Sequence, residues 1–184
     1  MVNSPNNRYP EKRIENLSFD RYSSSLGAIE SEHKHIHEGN HFFIADFDTG
    51  LSDGDTIEFV VTTPNSNKST HMTFFIEGTD GVQMEIYEGA SGITGGTAQT
   101  PLNSNRNSST SSSLTIVKNP TSISNYGTKI FGMRSGQNKE AGITERNWEL
   151  ILKKNTTYVY KITSNGNSNN ISYIGNWYEV EQVD

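Results

Sequence analysis

Cysteine is absent from this 184-residue chain. No disulfide can staple the fold, and no thiolate can act as nucleophile or metal ligand. Stability must therefore come from packing or from association with other chains. Runs of lysine and arginine are missing too, and the formal net charge is -6, so the electrostatic footprint of a nucleic-acid binder is not there. No apolar stretch approaches the roughly 18 residues of a membrane span. The opening segment MVNSPNNRYPEKR has no apolar core of the kind a secretory signal needs. The expectation is a protein made in a cytoplasm, with neither nucleic acid nor membrane as partner. Hydrophobic residues are few, at 32%. Leu and Ala are scarce, which weakens the case for long helices.

What is present points to strands. The chain holds 8 Tyr, 8 Phe and 2 Trp, enough large side chains to build a core. Asn, Ser, Thr and Gly fill the intervals, as expected of strands joined by turns. Ile57, Phe59 and Val61 alternate with polar or smaller neighbours. So do Met72, Phe74 and Ile76; Val82, Met84 and Ile86; Trp148, Leu150 and Leu152; and Tyr158, Tyr160 and Ile162. A period of two places each set on one face of a strand. Ser52–Asp55, Gly78–Gly81, Lys154–Thr156 and Asn165–Asn167 carry turn chemistry between them. Gly78–Gly81 and Lys154–Thr156 read as hairpin loops.

These signals predict an all-β protein: an antiparallel β-sandwich, jelly-roll-like, of roughly eight or nine strands and no convincing helix. Residues 31–184 form the sandwich, and residues 1–30 an extended N-terminal arm that gains order by docking. Two stretches interrupt the pattern. Gly89–Ser113 is long and almost without bulky apolar residues, which reads as a functional or disordered loop. Ser135–Thr144 reads as irregular.

The sharpest chemical candidate is His33-Lys34-His35-Ile36-His37. On a strand, His33, His35 and His37 point to one face, a spacing that can chelate zinc, nickel or iron. Glu32, Glu38 or Asp46 could add an oxygen. The pattern is that of cupin-type metal barrels, which brings a metal-dependent enzyme into consideration. Such a site needs a further His and a carboxylate from distant strands, and besides His41 only His71 is left. The plainer reading of the tract is a polar strand face. No G-x-S-x-G elbow, P-loop or dinucleotide fingerprint occurs. Asp48-Thr49-Gly50 reads as a turn after a strand. No catalytic residue and no cofactor is implied, and the chain reads as non-enzymatic. Asn105, Arg106 and Asn107 stand out within the long loop as an interface or loop anchor; fixing the loop on its own domain is the favoured role. Tyr126, Phe131, Trp177 and Tyr178 could form a sugar platform, although Trp177 and Tyr178 are adjacent and face opposite ways on a strand.

Several stretches together resemble the head decoration (cement or auxiliary capsid) proteins of tailed bacteriophages. They are His33–Phe43 (HKHIHEGNHFF), Thr62–Glu77 (TTPNSNKSTHMTFFIE), Met84–Gly89 (MEIYEG), Asn105–Thr121 (NRNSSTSSSLTIVKNPT), Glu149–Thr163 (ELILKKNTTYVYKIT) and Asn176–Glu179 (NWYE). The resemblance implies a sandwich on the outside of a virion capsid, commonly a homotrimer, that bridges major capsid protein subunits and has no catalytic residues. The N-terminal arm lies outside it. A receptor- or glycan-binding sandwich of a phage tail or adhesin is the second reading, and the cupin-like enzyme the third.

Overall fold

The computed structural model describes residues 18–19, 26–27, 31–136, 140–143 and 149–181. The first strands are β1 (Ser18–Phe19) and β2 (Leu26–Gly27), followed by helix α1 (Ser31–His37). Then come β3 (His41–Leu51), β4 (Thr56–Thr62), β5 (Lys68–Gly78), β6 (Val82–Glu88), β7 (Ser91–Thr94), β8 (Thr97–Gln99) and β9 (Leu102–Asn103). They are succeeded by β10 (Thr115–Lys118), β11 (Ser122–Asn125), β12 (Thr128–Ser135), β13 (Glu140–Ile143), β14 (Leu150–Leu152), β15 (Thr157–Ser164) and β16 (Asn169–Glu181). The fold is an all-β sandwich of two antiparallel six-stranded sheets. One runs β13-β5-β16-β3-β9, with β14 also on β5; the other runs β12-β6-β15-β4-β10-β8. Among the described residues no helix is long and apolar enough to cross a membrane.

The alternating residues do what their period requires. Ile57, Phe59, Val61, Met72, Phe74, Ile76, Val82, Met84, Ile86, Tyr158, Tyr160 and Ile162 are all buried between the sheets with Trp177. Leu150 and Leu152 also face this core, while Ile151 is exposed. The rings interlock: Phe59 lies 5.6 Å from Phe74 and 4.8 Å from Tyr173. Trp148 and the first thirty residues, apart from the β1–β2 ladder, lie outside the described residues. So does part of the stretch Ser135–Thr144, which contributes β13.

The connections differ from the sequence expectation. Gly78–Gly81 and Lys154–Thr156 are not hairpin loops, because β5 and β6, and likewise β14 and β15, belong to opposite sheets. They are arches, as are the links β3–β4 and β15–β16. A hairpin leaves two apolar strand faces side by side, still needing a cover. An arch turns the same faces toward each other and buries both. Asn169 locks two arches together. Its Oδ1 accepts from Asp80 N at 2.8 Å, and its Nδ2 donates to Gly81 O at 3.0 Å and Ser164 Oγ at 3.1 Å.

The stretch after Gly89 is not a structureless loop. It carries β7, β8 and β9, and β7 pairs with β11 as a separate ribbon. Ile93 and Ile123 of that ribbon pack over Val60, Ala90 and Val159, burying outward-facing residues of β4 and β15 beneath a third layer. Asp48-Thr49-Gly50 is not a turn either: it lies within β3, where Gly50 takes φ 71° beside a register shift against β16.

Candidate functional site

Three segments distant in sequence meet at one end of the β5–β16–β3 sheet: the His tract, the Asn-rich loop and the end of β16. The His tract is the main correction. His33, His35 and His37 do not share one face of a strand, because they sit on α1. At helical spacing, His33 and His37 fall on one side and His35 on another. Among the described residues no three His, Asp or Glu side chains are placed to hold a metal ion. The helix stops at Gly39 (φ 73°), where Gly39 N donates to Ile36 O at 3.1 Å and Asn40 N to His35 O at 2.9 Å. This pair of bonds is a Schellman ending, which requires the left-handed conformation that glycine adopts freely. Gly39 after a tract with basic residues was the sequence signal for the helix.

His35 and His71 belong to one cluster and His41 to another. His35 stacks on Tyr178 of β16 with ring centroids 4.4 Å apart, and Tyr178 stacks on His71 of β5 at 4.6 Å. Glu149 Oε1 closes this stack: it accepts from the Tyr178 hydroxyl at 3.0 Å and lies 2.9 Å from His71 Nδ1. His41, buried at the start of β3, places Nδ1 2.6 Å from Ser104 Oγ and Nε2 3.1 Å from Glu32 Oε1. A neutral imidazole that donates to Glu32 accepts from Ser104, giving the bonding order hydroxyl–imidazole–carboxylate. That is also the order of a nucleophilic relay. Acyl transfer further requires free backbone N–H groups beside the nucleophile. Here Ser104 N already donates to His41 O at 2.9 Å, and Asn105 N to Asn103 Oδ1 at 2.9 Å. The array therefore reads as a clamp joining α1, β3 and the loop.

The loop is pinned from several sides. Buried Asn103 donates Nδ2 to Gly39 O at 2.8 Å and to Thr110 O at 3.0 Å. Asn105 Nδ2 donates to His37 O at 3.2 Å, satisfying a carbonyl at the helix end. Asn107 N donates to Asn105 Oδ1, and exposed Arg106 reaches the Asn103 carbonyl of its own loop at 3.3 Å. Of the candidate anchor, Asn105 ties the loop to α1, whereas Arg106 and Asn107 are exposed and bond only within the loop; Asn103 is the deepest member. Glu179, only 2% exposed, holds the far end of the loop. Its carboxylate accepts from Ser112 Oγ at 2.6 Å, Ser113 N at 2.9 Å and Trp177 Nε1 at 3.2 Å. Sequence reasoning passed over Asn103, Ser104 and Glu179. The signal for Glu179 was its inward parity with Tyr173 and Trp177 on one strand.

A second polar bridge ties the sheets near their β3–β10 side. Lys118 Nζ lies 2.6 Å from Asp48 Oδ2 and 2.7 Å from the Tyr173 hydroxyl. Burial alone would lower the Lys118 pKa, but these partners prevail and hold it above the usual lysine range. The proposed sugar platform does not assemble: Trp177 is wholly buried, Tyr178 is nearly so, and Phe131 packs against the core. A shallow groove of about 360 Å³ lies at the β6–β12 edge, lined by Gln83, Glu85, Lys129, Gly132, Met133 and Arg134.

The outer face of the β5–β16–β3 sheet beyond α1 is different in character. Phe47 is 64% exposed and Ile174 41%. Ile174 pairs with Ala45 on one side and Phe75 on the other, and Phe43 and Phe47 flank Ala45 on the same face of β3. Together these side chains make an apolar strip across the middle of the sheet, with Phe43 and Phe75 half-buried. Comparison with protein-family models, with curated proteins and with solved structures finds no match for this chain.

Proposed function

We propose that this chain is a structural virion protein that binds the outside of a phage capsid and stabilises it by bridging major capsid protein subunits, as a homotrimer. The observation that carries the reading is the strip formed by exposed Phe47, Ile174 and Ala45 with half-buried Phe43 and Phe75, an apolar surface on one sheet face. Contiguous exposed apolar surface marks contact with another macromolecule. The body behind it suits a load-bearing role, since the long loop is fastened by Asn103, Asn105 and Glu179. Strand order adds support. The neighbours β3-β16-β5-β13 in one layer and β4-β15-β6-β12 in the other, with the chain changing layer at most connections, favour reading the sandwich as a jelly roll. The resemblance of the sequence to head decoration proteins points the same way. Several weak contacts per trimer would add through effective concentration.

The test is co-sedimentation with phage heads that lack the protein. Binding is expected, together with a trimer by light scattering at micromolar concentration. Phe47→Glu with Ile174→Lys should abolish binding while leaving the unfolding transition in place. Retention on host cells with no binding to heads would replace the capsid reading with the receptor-binding one. Monomers alone would remove the trimer.

A further inference from the structure

We propose that His33 and His37 form an exposed two-imidazole chelate for a borderline divalent transition-metal ion, of the Cu²⁺, Ni²⁺ or Zn²⁺ class. The two residues stand one turn apart on α1, with Nε2 atoms 3.0 Å from each other and ring centroids 4.7 Å apart at 73°. Both are exposed. Two nitrogens bound to one ion at about 2.0–2.1 Å lie about 2.9 Å apart when the angle at the metal is near 90°, and about 3.3 Å apart near the tetrahedral angle. The observed separation falls inside this range. The 3.0 Å contact is a hydrogen bond in which one ring donates and the other accepts; an ion binds to the side of that axis, with each ring keeping its remaining proton on Nδ1 and turning so that both Nε2 lone pairs meet at the ion.

The chelate is preorganised by the residues around it. His35 of the same helix is stacked on Tyr178, Glu32 is bonded to His41, and Asn105 holds the His37 carbonyl. The helix therefore does not have to be ordered when the ion arrives. Imidazole pairs select zinc, copper and nickel over calcium and magnesium, which prefer oxygen. Two protein ligands leave the remaining coordination positions to water or to a donor from another chain. The inference rests on α1 alone and is independent of the capsid reading.

The experiment uses the full chain purified without a histidine tag. Cu²⁺ is titrated with electron paramagnetic resonance as the readout, and Zn²⁺ and Ni²⁺ by calorimetry. One ion per chain with nitrogen coupling is expected. His33→Ala or His37→Ala should weaken binding at least about tenfold, because the second ligand no longer adds intramolecularly. His35→Phe keeps the stack on Tyr178, removes the imidazole, and should leave binding unchanged. Circular dichroism and the unfolding midpoint show that each variant is folded, and His33→Gln and His37→Gln stand in for any alanine variant that is not. Failure to bind one equivalent, full binding by the His33 or His37 variants, or loss of binding in His35→Phe would each overturn the proposal.

Discussion

Replacing Glu179 by Ala should detach the long loop from the sandwich. The carboxylate is the common acceptor for Ser112 Oγ, Ser113 N and Trp177 Nε1, and it lies in a nearly closed site. A hydrogen bond to a charged acceptor contributes about 1.5–3 kcal/mol, and a buried donor left without a partner costs about 1–3 kcal/mol. Ser112 can turn toward water, but Ser113 N and the indole N–H can do so only if the loop lifts. The two costs overlap, because lifting the loop rehydrates the donors while losing the packing of Leu114. The net loss should be about 3–4 kcal/mol. Glu179→Gln keeps one acceptor oxygen and turns an amide toward the remaining donors, so it should lose about 1–2 kcal/mol. For a chain of this size the Ala variant should melt about 6–16 °C lower. Urea unfolding gives the free energies, and hydrogen exchange gives the location. The Ser113 and Leu114 amides should exchange about a hundredfold faster, while those of β4 and β15 change only as global stability does. A Glu179→Ala protein within about 0.5 kcal/mol of the parent, with unchanged exchange at Ser113, would refute the clamp.

Gly39→Ala should lose about 1–2 kcal/mol from the left-handed backbone alone, and more because its Cβ would meet Ser108 Oγ at 2.4 Å; urea unfolding and helix-loop hydrogen exchange check this. Acid should destabilise the protein through Glu88. The Lys153 ammonium and the Tyr158 hydroxyl hold its carboxyl below the ordinary value of 4.5, against the opposing effect of burial. The stability from this depressed group is present above the unfolded pKa and is lost as pH falls through the folded one, so the Lys153→Met variant should show a shallower decline between about pH 5 and 3 in pH-dependent urea melts. At the other extreme, burial and the hydrogen bond to Glu58 push the Tyr126 phenol up to about 12. The stability linked to it is complete below the ordinary value of 10.0 and lost as pH rises through about 12. Ultraviolet difference titration should find this late tyrosine in the parent and an earlier one in Glu58→Gln; identical titrations would remove the Glu58 contribution.

Much of the architecture was legible because burial on a strand has a local signature. Ile57-Phe59-Val61 and Tyr158-Tyr160-Ile162 announce their inward faces without reference to any partner. The His tract was ambiguous: Gly39 and the basic residues before it fit a helix end, but a seven-residue element offers barely two turns. His33, His35 and His37 satisfy a period of two as readily as any strand. Only the stack of His35 on Tyr178, the Glu32–His41 bond and the Gly39 ending select the helical form. Likewise Val60 and Val159 read as outward residues, yet the β7–β11 ribbon from a distant part of the chain buries them.

The amino-acid order by itself determined which face of each long strand is apolar, where most turns between the long strands fall, and that no disulfide or thiolate is available. Each of these depends on neighbours within a few residues. The tertiary structure alone decided that β5 and β6 arch across the core instead of pairing, and that the Asn-rich loop closes on Glu179. It also decided that His33 and His37 converge while His35 departs. Those outcomes depend on which surfaces meet across long separations in the chain, where the gain is shared among many side chains and no single segment carries its record.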